Sequence, residues 1–305
     1  MITIYRKKSG PMEQLEAFEP GTWIHIEEPS DEEITLLVQM LDLEEDLLRD
    51  ALDPFEVPRL EVEDRTRYVF TRMPYTQEDG RTFTLPLLII IGKDFFCTFA
   101  KKPFGVLTRF LDDDLIFDTT KHTQFFLEII NEANYIYKRH LNDIGKRVRG
   151  MSVRVRHIGA REIEQFVTYE EVLNDFLSAL APTHATLEKL LTGKELKLYE
   201  EDADIIEDLL PDYKQLLEFC KATLKTIQNI RDAYSTLATH QLNRVMKLLT
   251  ALTILLAVPT LIASVYGMNV PLPYANNSFA FFGILIGILV STLALFGIFT
   301  KNRWL

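Results

Sequence analysis

The 305 residues carry 33 Lys and Arg against 44 Asp and Glu, a net charge of −11, and 47% of them are apolar. The acidic balance excludes nucleic acid as a partner and leaves cations as a natural one; two cysteines are too few for a disulfide framework or a zinc site. The averages conceal a division: every Asp and Glu precedes residue 233, so the first 240 residues sum to −15, whereas the last 65, with only Arg244, Lys247, Lys301 and Arg303, sum to +4.

Residues 2–6, 23–26, 67–73, 82–91 and 95–100 are rich in β-branched and aromatic side chains and read as strands. Pro86 cannot donate to a ladder and demotes its strand towards a sheet edge. Between the second and third strands, Ser30 followed by Glu33 is a capping box that opens a helix, with Leu36, Leu37, Met40 and Leu41 as its core stripe. A shorter helix over 44–52 ends before Asp53-Pro54. From residue 121 the pattern becomes helical, with amphipathic stretches over 123–149 and 161–191. The fold class is an α+β domain over 1–202, a mixed or antiparallel sheet flanked by helices and completed by a helical hairpin.

Residues 203–266 then read as one continuous helix, roughly 96 Å long, with Pro211 and Pro259 as expected kinks. Its last 19 residues, 248–266, and a second run of 22, 279–300, contain no charge. Each is long enough to cross a bilayer's hydrocarbon of about 30 Å. No apolar stretch at residues 1–10 resembles a cleavable leader. The short hairpin over 267–278 is uncharged, while basic residues flank both spans on the other side, the second in the tail 301–305. The positive-inside rule therefore puts both termini in the cytoplasm of a cell membrane.

On the long helix, alternating steps of three and four trace one seam: Asp232, Thr236, Thr239, Asn243, Met246, Thr250, Thr253, Ala257, Thr260, Ser264 and Gly267. Every member is polar, small or a thioether, between faces of Leu, Ile and Val. Two readings fit: close packing of helices through small residues, or a pore lined by symmetry-related copies, since hydrocarbon cannot satisfy a row of hydroxyls. The seam's extent over ten turns favours the pore. Hydroxyl and amide oxygens without charge within the membrane suit a cation that keeps its waters, and Mg²⁺ fits best. Met246 and Leu249 supply an apolar constriction, and Asp232 a ring that concentrates cations.

At the outer end of the first span stands Tyr266-Gly267-Met268-Asn269, and the chain ends Lys301-Asn302-Arg303-Trp304-Leu305. Together with Trp23-Ile24-His25-Ile26-Glu27-Glu28-Pro29, Leu48-Arg49-Asp50-Ala51-Leu52-Asp53 and Pro58-Arg59-Leu60-Glu61, these resemble the CorA-type family of divalent-cation transporters. The resemblance implies a homopentamer whose cytosolic domains form a funnel, whose stalk helices line the pore and whose second spans form an outer ring. Gly267, Met268 and Asn269 would shape a mouth presenting five amide oxygens to a hydrated ion. It also implies that Mg²⁺ bound between subunits at Asp50 and Asp208 holds the pore shut. Residues 270–278 hold no acid, although such transporters often carry one there. Zn²⁺, Co²⁺ or Ni²⁺ on the same scaffold therefore remains an alternative, as does a two-span anchor or sensor without a pore.

Enzyme chemistry finds no support. The six His residues form no metal-ligand pairing and no Gly-rich phosphate loop appears. Asp112-Asp113-Asp114 reads as a solvated turn, and Asn276-Asn277-Ser278 as a coincidental glycosylation sequon.

Overall fold

The computed structural model describes residues 1–8, 10–112, 115–152, 158–193, 198–270 and 279–304. Seven strands make one mixed sheet: β1 (Ile2–Arg6), β2 (Glu13–Leu15), β3 (Thr22–Glu27), β4 (Arg59–Glu63), β5 (Thr66–Thr76), β6 (Thr82–Ile91) and β7 (Phe95–Ala100). Their order is β2-β1-β3-β7-β6-β5-β4, and only the central β3–β7 pair is parallel. A parallel pair needs a crossover, supplied here by α1 (Asp31–Leu41), α2 (Glu45–Asp50) and the β4–β6 meander.

Alternation along the central strands builds two cores. Ile24, Ile26, Leu88, Ile90 and Phe99 meet Ile34, Leu37, Leu41 and Leu48 of α1 and α2. The helix is opened as expected: the Glu33 amide donates to Ser30 Oγ at 3.2 Å, and the Ser30 amide to Glu33 Oε2 at 2.9 Å. Its buried stripe is Ile34, Leu37 and Leu41, whereas Leu36 and Met40 are exposed. Steps of three and four from Ile34 select one face, and Leu36 and Met40 belong to its neighbour.

The opposite core is aromatic. Trp23 is fully buried, meets Phe125 edge-on at 5.1 Å and donates its indole N–H to Thr98 Oγ1 at 2.9 Å. Phe125 belongs to α4 (His122–Ser152), which follows α3 (Gly105–Leu111). Truncating so buried an aromatic ring costs about 3–5 kcal/mol. α5 (Ala160–Leu191) is tied to the sheet by Asp175, which accepts from the Thr84 amide and from Thr84 Oγ1 at 3.0 Å.

That contact corrects the placement of Pro86. Its strand β6 pairs on both sides, with β5 along its length and with β7 from Leu87 to Ile91. β7 stops opposite Leu87, and the Thr84 amide on that flank is satisfied by Asp175 instead. Two residues on, Pro86 faces the same flank, where no strand asks for its missing N–H. The residue is at a local edge inside an interior strand.

α6 (Glu200–Tyr266) is one helix of 67 residues running through Pro211 and Pro259, and α7 (Ala280–Lys301) follows. The chain divides into two units, Met1–Asn229 and Ile230–Leu305, so the division falls inside α6. In the first unit α6 buries Ile206, Leu209, Tyr213, Leu216, Cys220, Thr223 and Ile227 at alternating steps of three and four. The Tyr213 hydroxyl donates to the Ile130 carbonyl of α4 at 3.3 Å, and Asn134 of α4 donates to Asp212 at 3.0 Å.

The second unit is a helical pair. α6 covers Ala251 and half-buries Ile254, Leu255, Val258 and Ile262; α7 half-buries Ile284, Ile288, Ser291, Thr292 and Leu295 and buries Phe299. Both helices are long and apolar enough to cross a bilayer, and only 6% and 0% of their apolar windows are buried by the chain. Core helices of a soluble protein would be covered.

Candidate functional site

All eleven positions of the α6 seam, from Asp232 through Thr236, Thr239, Asn243, Met246, Thr250, Thr253, Ala257, Thr260 and Ser264 to Gly267, are exposed. At 100° per residue the seam lies roughly 120° around the helix from the stripe that faces α7. α7 therefore leaves the polar face open, and the apolar face is the one it covers. Leu249, beside the seam, is 58% exposed and Met246 53%.

The hydroxyls of the seam have a common orientation. Thr250 donates to the Met246 carbonyl at 2.8 Å, Thr253 to Leu249 at 2.9 Å and Thr260 to Leu256 at 2.7 Å; Thr236 and Thr239 below them do the same to Asp232 and Ser235. A threonine whose proton is spent on the carbonyl four residues back keeps only lone pairs for whatever faces it. The seam is thus a ladder of acceptors.

Its outer end is the last turn of α6. The Gly267 amide donates to Ala263 and Ser264, and the Met268 amide to Val265 at 3.3 Å. A methyl at Gly267 would stand 3.5 Å from the Ala263 and Ser264 carbonyls, ordinary contact distance, so one chain alone gives no steric reason for glycine. Met268 and Asn269 are exposed, and the Asn269 amide makes no hydrogen bond among the described residues. Residues 271–278, with the sequon, lie outside the described residues, as do Asp113 and Asp114 of the acidic turn.

Asp50 closes α2 and is not a free carboxylate. Its Oδ2 accepts from Arg59 at 2.8 Å, and the same guanidinium serves Glu61 at 2.5 Å and Glu56 while lying 4.0 Å over the Phe70 ring. Burial opposes the charge on Arg59, but Glu61, Glu56 and Asp50 outweigh it and raise its pKa. Asp208, on the exposed side of α6, shares no contact with Asp50 within the chain. No three His, Cys, Asp or Glu side chains converge to hold a metal among the described residues. The Arg59 clamp on Asp50 is the element that sequence reasoning did not assign. Its only signal was the Pro58-Arg59-Leu60-Glu61 segment.

The family model for the CorA-like Mg²⁺ transporter protein matches residues 19–301. The chain belongs to that family. Among its relatives, the cobalt/magnesium transport protein CorA of Methanocaldococcus jannaschii is 27% identical over 93% of this chain and 91% of its own length. The magnesium transport protein CorA of Wolinella succinogenes is 24% identical over the same shares. The complete structure of the Methanocaldococcus jannaschii CorA magnesium transporter superposes with a TM-score of 0.88, covering 100% of this chain and 99% of that one at 24% identity. The fold is therefore the full-length CorA fold: a mixed sheet with helices, a long helix and a C-terminal apolar helix. As a member of the CorA family, the chain is a membrane transporter of divalent cations and not an enzyme.

Proposed function

We propose that five copies of the chain enclose a pore with their α6 seams and pass hydrated Mg²⁺ passively into the cytoplasm, both termini lying on that side. The observation that carries the reading is the acceptor ladder, exposed at every position while α7 covers the apolar face. Water bound to a cation points its hydrogens outward, so the wall that suits a hydrated ion offers lone pairs and withholds protons. Mg²⁺ loses its waters reluctantly and matches such a wall. A bare divalent ion is held best by carboxylates, and residues 233–305 contain none.

At the outer mouth, Asn269 supplies an amide oxygen from each copy, with Gly267 and Met268 beside it. Towards the cytoplasm, Met246 and Leu249 form an apolar ring that closes by dewetting, and the Asp232 ring below it concentrates cations. Gating follows from the soluble units. Two carboxylates on neighbouring copies repel without a cation and are joined by a divalent one, and Asp50 and Asp208 are assigned that role. Arg59 takes one oxygen of Asp50, so the ion competes with a guanidinium and binds weakly, which suits a sensor of abundant ions. The cobalt in the name of the Methanocaldococcus jannaschii relative makes Co²⁺ the first competitor to measure.

Liposomes loaded with a Mg²⁺-sensitive dye test the function directly. Wild-type protein should admit Mg²⁺ without ATP, and Asn269→Ala should abolish uptake while leaving the assembly intact on size exclusion. Uptake of Co²⁺, Ni²⁺ or Zn²⁺ undiminished by excess Mg²⁺ would reassign the ion. Absence of any flux would make the chain an anchor or sensor.

A further inference from the structure

The stripe that α6 turns towards α7 does not end where α7 ends. Continued downward from Ala251 by the same steps of three and four, it reads Lys247, Arg244 and His240, all three exposed. Opposite them the chain turns back at the end of α7. Arg303 adopts a left-handed φ of 58°, the Trp304 amide donates to the Phe299 carbonyl at 2.9 Å, and the Trp304 ring stacks on Phe299 at 5.5 Å. That is a Schellman turn with its hydrophobic contact. It sets Arg303 and Trp304 across a groove of about 890 Å³ from His240, Arg244 and Lys247.

Among the described residues no Asp or Glu lines this groove, and Arg244, Lys247 and Arg303 form no ion pair. The same unit of a second copy adds no acidic side chain at this level. Subunits related by a rotation axis along the membrane normal place equal residue numbers at equal depth, and residues 233–305 contain no Asp or Glu in any copy. No Asp or Glu of the unit supplies their counter-charge, which leaves the groove suited to an anionic ligand. Above the cations, Leu248 and Leu252 are exposed and apolar, with Val245 beside them, and Trp304 is a residue type that favours the boundary between headgroups and hydrocarbon. Anion below, acyl chain above, and an aromatic ring between them describe one ligand class.

We infer that the groove between the lower turns of α6 and the Arg303-Trp304 turn binds the phosphodiester headgroup of an anionic phospholipid of the cytoplasmic leaflet. Arg244 and Arg303 clamp the phosphate oxygens, Lys247 adds a third charge, and Trp304 covers the glycerol region. This uses the membrane placement of the spans but neither the ion nor the gating proposed above, so ion flux can be normal whichever way the test falls.

The test is lipid retention by the purified full-length protein in neutral detergent, offered equal phosphatidylglycerol and phosphatidylcholine and read by native mass spectrometry. Wild type should retain phosphatidylglycerol at least tenfold better. Arg244→Gln, Lys247→Gln and Arg303→Gln should each lose about fivefold of that preference, and Arg303→Lys should lose much less. Lys146→Gln with Arg147→Gln, on α4, should change nothing. A wild-type reading needs no substitution of charge: brominated phosphatidylglycerol should quench Trp304 emission more than brominated phosphatidylcholine, because the only other tryptophan, Trp23, is fully buried in the soluble unit. Equal retention or equal quenching of the two lipids would overturn the proposal. So would displacement of phosphatidylglycerol by millimolar inorganic phosphate, which would mark a site for free anions.

Discussion

Replacing Thr250 by Val keeps the shape of the side chain and removes only its oxygen, so it asks the acceptor ladder a narrow question. Folding should scarcely notice. The Met246 carbonyl loses a contact of 2.8 Å but keeps its intrahelical partner, and such back-bonds add little to helix stability. The passing ion should notice more. A hydrogen bond to a cation's water shell is worth about 1 kcal/mol net, and a ring of five copies makes two or three such contacts at any moment. The barrier should rise by roughly 2–3 kcal/mol, and Mg²⁺ flux should fall by roughly 30- to 150-fold. Thr292→Val on α7, whose hydroxyl donates to Ile288 at 2.8 Å on the half-buried side, is the matched control and should leave flux unchanged. Dye influx into liposomes reports the rate, and size exclusion reports the assembly. Wild-type flux through an intact Thr250→Val assembly would refute the reasoning. If the assembly fell apart instead, the seam would be a packing surface between helices.

Met246→Asp should hydrate the constriction and raise basal Mg²⁺ leak, whereas Leu248→Asp, off the seam, should reduce membrane insertion; identical behaviour would mean that the register is wrong. Replacing Asp50 and Asp208 by Asn should remove most of the protection that Mg²⁺ gives the soluble unit against protease. Arg59→Gln should do the reverse and lower the Mg²⁺ needed for protection several-fold, because it frees Asp50, Glu56 and Glu61; an unchanged midpoint would remove Asp50 from the sensor. Ser30→Ala should cost about 1 kcal/mol through the lost cap of α1, read as a melting temperature lower by a few degrees. Hydrogen bonding to the Ser30 amide holds the Glu33 pKa below its ordinary value. Its contribution is therefore complete at neutral pH and fades as pH falls through the folded-state value, below about 4.5, and Glu33→Gln should cost less at acid pH than at neutral pH.

Much of this was legible in the residues, for reasons that differ by element. β6 and β7 are continuous apolar runs, nearly all buried, and such runs declare both their type and their ends. β4 escaped because Arg-Leu-Glu-Val-Glu is half exposed and charged at alternate positions, and β2 because three residues carry no pattern. Leu36 and Met40 look like core to any reading that widens the apolar stripe of α1, and only the packed sheet decides which side of the stripe is covered. The α6 seam was visible because it persists over ten turns. What it faces was not, since the partner of an open face lies in another molecule. The hold of Arg59 on Asp50 depends on the path of the turn between α2 and β4, and no spacing rule encodes that path.

The parallel β3–β7 pair constrains how the chain is made. Its two strands lie at the middle of the sheet, yet β7 is seven decades of residues further along than β3, and every strand between them belongs to one side. On the ribosome, the amino-terminal β1–β3 ribbon must wait as an incomplete edge until residue 100 is available, and Trp23 stays without cover until Phe125 of α4 follows. Synthesis at 5–20 residues per second then leaves roughly seven to thirty seconds before the first span is made near residue 248. That interval is long compared with sheet closure. The sheet can therefore close before the membrane machinery takes hold of the chain, and slowing translation between residue 20 and Phe125 is where newly made protein would be lost to aggregation.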